Sequence, residues 1–151
     1  MTLSELATAV SQALETGQVG VPLSLKVWIH RPGGGLEVAE SLARLIERFV
    51  PMLRDAPATL LSTGADDGSH WQILLTGQLG RTALFLLSTP PASVARVQLL
   101  LVGNHGVLQL SGDSSLSDEP LAVSPQAGAW REAMEASRRT GQCVDVSGLL
   151  C

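Results

Sequence analysis

The chain has 151 residues, 45% of them hydrophobic, with a formal net charge of −4 and a low isoelectric point. That length predicts one domain, residues 1–151, with room for a real core, and the apolar content excludes disorder. Lys26 is the single lysine and no arginine–lysine run exists, so nucleic acid is not an expected partner.

Tyrosine is absent, and two Phe and three Trp leave the core to Leu, Val, Ala and Ile. Cys143 and Cys151 form no CxxC or Cys/His spacing for zinc, and read as free thiols in a reducing cytosol. The N-terminus has no positive region followed by an apolar stretch, and no apolar run approaches the ~20 residues of a membrane span. A cytoplasmic protein is expected.

Thr2 and Glu5 have capping-box spacing, and Leu6, Val10, Ala13 and Leu14 recur with a helical period, so residues 3–16 should form a helix ending at Gly17. Residues 22–29 alternate Leu23, Leu25, Val27 and Ile29 against Ser24, Lys26, Trp28 and His30, as a one-sided strand does. Gly33, Gly34 and Gly35 then open a second helix, residues 36–50. Val38, Leu42, Leu45, Ile46 and Phe49 form its apolar stripe, and Pro51 should end it. Strands are predicted at 58–63, 70–76, 82–88, 96–102 and 107–110. Glycine-rich connections join most of them, and Pro90 and Pro91 mark a loop. Residues 111–125 read as irregular. Residues 126–139 form a third helix with Trp130, Ala133, Met134 and Ser137 on one side, stopped by Gly141, and residues 144–146 could add a short edge strand. This order predicts an α+β fold: an open, mostly antiparallel sheet of about five to six strands with helices packed on one face.

Candidate chemistry is sparse. His30, His70 and His105 have neither i, i+4 spacing nor a nearby carboxylate, so no metal site is expected. No GxSxG elbow, GxGxxG loop or Walker pattern occurs. Asp66 and Asp67 sit in a turn, where aspartate bonds its own backbone. The triple glycine could present N–H groups to an anion, but a flexible helix entry is the simpler reading.

Four blocks, in order, resemble the C-terminal domain of the Gfo/Idh/MocA family of NAD(P)-dependent sugar and inositol dehydrogenases. Residues 13–23, with Gly17 and Gly20, are similar to the family's helix-to-strand join. Gly33–Gly35 match the glycines before its catalytic helix. Residues 99–110 look like the strand–turn–strand that ends its sheet, and 133–142 like its closing helix. The resemblance covers nearly the whole chain.

The departures matter more. The family's Rossmann half is not in this sequence. The resemblance also implies an aspartate and, four residues on, a histidine in the helix after the glycines, where Ala39 and Ala43 stand. Alanine cannot move a proton. The expectation is therefore a non-catalytic relative of that domain with no cofactor and no catalytic residue. It would act as a homodimer or with another protein through its sheet, the family's common oligomer surface. The runs 73–75, 84–87 and 99–102 are apolar at every position, so both sheet faces should be apolar there, and Leu75, Leu84, Leu86, Leu100 and Val102 are the expected interface. One alternative is a split subunit that supplies the substrate-pocket half of a dehydrogenase. Another is a domain binding a small, sugar-like molecule in a pocket lined by Trp28, His30 and Trp71.

Overall fold

The computed structural model describes residues 3–30, 37–65, 69–89, 96–113 and 125–149. Gly33–Gly35, Asp66, Asp67, the loop around Pro90 and Pro91 and most of the 111–125 segment lie outside these residues.

Helix α1, Leu3–Glu15, buries Leu6, Val10, Ala13 and Leu14. Gly17 ends it at φ 75, with Gly17 N–H on the Leu14 carbonyl and Gln18 N–H on the Ala13 carbonyl, the two bonds of a Schellman cap. Gly20, at φ 72, then turns the chain into β1, Pro22–His30. Here the backbone of residues 19–21 lies on the turn between β5, Arg96–Gly103, and β6, Val107–Asp113. Asn104 N–H donates to the Val21 carbonyl, His105 N–H to the Val19 carbonyl, and Val21 N–H to Asn104 Oδ1 at 2.7 Å. A Cβ on Gly103 would meet the Val19 carbonyl and one on Gly106 the Gln18 carbonyl. Gly103 and Gly106, in the block that resembles the family's strand–turn–strand, are thus required by close backbone approach.

After β1, helix α2, Glu37–Phe49, crosses the sheet and continues as a 3-10 turn, Val50–Leu53, with Pro51 at its start. The strands β2, Pro57–Gly64, β3, His70–Gly77, and β4, Thr82–Ser88, follow as antiparallel neighbours. Helix α3, Pro125–Thr140, and β7, Val144–Asp145, complete the described fold. The strand order is β6-β5-β1-β4-β3-β2-β7, antiparallel except for β1 with β4.

The α+β class and the one-sided helix layer hold. The five to six mostly antiparallel strands become seven in a mixed sheet. The crossover through α2 makes β2 run parallel to β1, and two hairpin reversals bring β4 back, again parallel, beside it.

All three helices pack on one face, α1 against β6, α2 against β4 and α3 against β2. That face carries Leu25, Val27 and Ile29, Ile73 and Leu75, Ala83, Phe85 and Leu87, and Val97, Leu99 and Leu101, all buried. From α2 come Leu42, Leu45, Ile46 and Phe49, as its periodicity predicts, together with Ala39 and Ala43. From α3 come Trp130, Ala133, Met134 and Ser137. The Ser137 hydroxyl accepts the Ser62 N–H at 2.8 Å and donates to the Gln142 carbonyl at 2.7 Å. It thereby occupies the edge of β2 that the two-residue β7 leaves open, which guards against edge-to-edge pairing.

Candidate functional site: the uncovered face of the sheet

Because side chains alternate across a strand, fixing which residues face the helices fixes which do not. The strand register sets the other face, which none of the three described helices covers, out in three rows running across six strands from β6 to β2 and a fourth across five. The first row reads Val107, Val102, Ser24, Thr82, Thr76, Thr59. The second reads Gln109, Leu100, Lys26, Leu84, Leu74, Leu61. The third reads Ser111, Gln98, Trp28, Leu86, Gln72, Thr63. The last, at the end where β1 stops, runs Asp113, Arg96, His30, Ser88, His70.

The face therefore grades from threonine and valine, through leucine, to histidine. At its polar end His30 Nδ1 lies 2.6 Å from the Ser88 hydroxyl, and the Gln72 amide nitrogen lies 3.1 Å from His70 Nε2. Its single lysine stands in the leucine row between Leu100 and Leu84. The uncovered positions of the five central strands, β5 to β2, hold Lys26, His30, His70 and Arg96 and no carboxylate. Asp113 and Asp145 stand on the two edge strands. The Asp145 carboxylate accepts the Ser147 N–H at 2.9 Å, which holds its pKa below the usual carboxylate value.

The sequence-predicted site residues separate. Trp28 and His30 are half-buried on the uncovered face, but Trp71 is on the opposite one, 5% exposed, beneath the Arg138 guanidinium at 5.1 Å from the ring centroid. Trp28, His30 and Trp71 thus line no common pocket. The reason is phase: Trp71 alternates with Ile73 and Leu75, which face the helices. Leu75 is corrected for the same reason. It is 2% exposed on the helix side, and its neighbour Leu74 takes the outward position at 37%. Leu84, Leu86, Leu100 and Val102 do stand on the uncovered face, half-buried. His70, Gln72, Ser88, Arg96 and Gln98 join Trp28 and His30 there, and sequence reasoning missed them as a group. Alternation within each strand was the available signal, but bringing Ser88 beside His30 needed the parallel pairing.

On the helix side, Ala39 is 8% and Ala43 1% exposed. The positions where the resemblance expects an acid and a base are filled by methyl groups packed in the core. Among the described residues no group of three or more His, Cys, Asp or Glu could hold a metal ion, and no helix is long and apolar enough to cross a membrane.

No family model and no curated protein matches the sequence. Solved structures do. A probable dehydrogenase from Thermotoga maritima superposes with a TM-score of 0.74 at 13% identity, over 97% of this chain and 63% of its own. A putative myo-inositol dehydrogenase from Sinorhizobium meliloti gives 0.71 at 12% identity, over 93% and 61%. The myo-inositol dehydrogenase of Lactobacillus casei, in complex with NAD(H) and myo-inositol, gives 0.67 at 15%, over 93% and 58%. This chain thus spans about three-fifths of the length of the dehydrogenases it is similar to. The likeness is one of fold, and it is the fold that the resemblance to the C-terminal domain of Gfo/Idh/MocA-type inositol dehydrogenases implies.

Proposed function

We propose that this chain is a non-catalytic relative of the dehydrogenase C-terminal domain, acting by association through the uncovered face of its sheet with a second copy or another protein. The burial of Ala39 and Ala43 carries the first half of the reading. Restoring an acid and a base there would need space that the core does not have. The row Leu100, Lys26, Leu84, Leu74, Leu61 supports the second half. It sets four leucines and one lysine across five strands, Leu100, Leu84 and Leu61 half-buried and Leu74 and Lys26 exposed, and a partner that covered it would remove that surface from water.

Two measurements test the reading. Titration with NADH and NADPH, followed by fluorescence or heat, should show no saturable binding; micromolar binding would overturn the non-catalytic half. Sedimentation at low micromolar concentration, alone and with any co-purifying protein, should show an assembly heavier than 15.8 kDa. A second reading, a subunit that completes a separate cofactor-binding protein, draws on the three-fifths coverage of the NAD(H)-binding neighbour. An NADH signal that arises only with such a partner would favour it.

A further inference from the structure

We propose that the histidine end of the uncovered face is a binding site for the phosphate group of a small phosphorylated ligand, built from His30, Ser88, His70 and Arg96. This goes beyond the proposed association, because it rests on the last row of the sheet and does not require the leucine row to be covered.

The row is rich in hydrogen-bond donors. His30 and Ser88 share one proton across 2.6 Å. If the hydroxyl donates to Nδ1, the ring keeps an N–H on Nε2. If the ring donates, the hydroxyl proton is released to point elsewhere. Either way the pair has one donor to offer. The Gln72 amide nitrogen is a donor only, so at 3.1 Å it makes His70 Nε2 an acceptor, and the His70 ring presents an N–H on Nδ1. Register puts Ser88 between the two rings and Arg96 on the far side of His30. One row of a sheet thus supplies two imidazole or hydroxyl donors and a guanidinium, the residue type that holds a phosphate with two parallel bonds.

The electrostatic setting agrees. The whole chain carries 14 acidic residues against 10 basic ones. Even so, the five central strands place no carboxylate on this face, and Lys26 adds a further positive charge two rows away. In the same row, register pairs Arg96 with Asp113 of the edge strand β6. In the adjacent row, Trp28 stands between Gln98 and Leu86. It offers an apolar plate with an amide beside it for the organic part of the ligand.

The experiment follows the three imidazoles by NMR while inorganic phosphate, glucose 6-phosphate or glucose is added to the intact chain at constant ionic strength. His105, exposed in the β5–β6 turn at the other end of the sheet, is the internal control. Saturable shifts at His30 and His70, absent at His105 and absent with glucose, support the site. Tighter binding of glucose 6-phosphate than of phosphate supports the role of Trp28. Arg96→Ala, at an exposed position, should weaken phosphate binding roughly tenfold without changing the circular dichroism, the scale of one lost charge-assisted bond. Equal shifts at all three histidines, no saturation at tens of millimolar, a response to glucose alone, or full binding in Arg96→Ala would each overturn the proposal.

Discussion

Replacing Ala43 by histidine supplies the base that the resemblance expects, and its cost measures how completely this side of α2 is core. Ala43 is 1% exposed on a helix whose buried stripe includes Leu42, Ile46 and Phe49. An imidazole there must displace packed neighbours, at roughly 1–3 kcal/mol for ordinary overpacking. If its nitrogens find no partner, their burial costs about 1–3 kcal/mol more. The sum, ~2–6 kcal/mol, is a large part of the 5–15 kcal/mol that holds a typical domain together. At about 2–4 °C per kcal/mol for a chain of this size, the melting midpoint should fall by roughly 5–20 °C. Thermal melts by circular dichroism measure this, with Gln12→His on the exposed side of α1 as control. An Ala43→His protein that melts with the wild type would show that position 43 opens onto a cavity large enough for an imidazole. The reading of α2 as a helix sealed against chemistry would then fail.

Other consequences can be tested alongside. Phe49→Ala removes a fully buried ring and should cost about 3–5 kcal/mol, read as a lower urea midpoint with an unchanged slope; an unchanged midpoint would mean that this side of α2 is not packed. Gly103→Ala should be destabilising beyond a surface substitution, roughly 1–3 kcal/mol, because its methyl group meets the Val19 carbonyl and one strand must shift. If that variant kept full stability, the close approach of residues 19–21 to the β5–β6 turn would be wrong. Leu84→Glu, on the uncovered face, should leave the fold intact and shift sedimentation toward the monomer; a wild-type chain that stays at 15.8 kDa at ten times the starting concentration would remove self-association.

Much of the fold was legible because it is local. The period of Leu42, Leu45, Ile46 and Phe49 in α2, and of Trp130, Ala133, Met134 and Ser137 in α3, identifies the buried side of each helix. Gly17 and Gly141, both at positive φ, ended α1 and α3 where glycine was expected to. The uncovered face was harder to read. Its composition depends on which strands are neighbours, and the β1–β4 pairing joins residues nearly sixty positions apart, such as His30 and Ser88. Apolar runs such as 73–75 and 84–87 also hide the phase of their own strand, since an apolar residue at every position fits either face. Trp71 and Leu75 were misplaced for that reason, although Gln72 and Thr76, sharing one parity in β3, marked the outward side.

That phase also bears on what the face can do. Had both faces been uniformly apolar, a large and permanent interface would be the natural inference. Row by row, only the one through Leu100, Leu84, Leu74 and Leu61 is mostly leucine, and Lys26 interrupts it. Threonines flank it on one side, and glutamines and histidines on the other. A mixed surface of this kind resembles the composition of interfaces that form and separate more than that of obligate dimers, whose centres are depleted of charge. In a face-to-face pair of identical copies, neither central region has a carboxylate to answer the other's lysine. Each ammonium would have to reach the rim or stay solvated, as a long aliphatic stem permits. Association through this face should therefore be modest in strength. A partner that brings carboxylates to the Lys26 row should bind more tightly than a second copy does, and increasingly so at low salt.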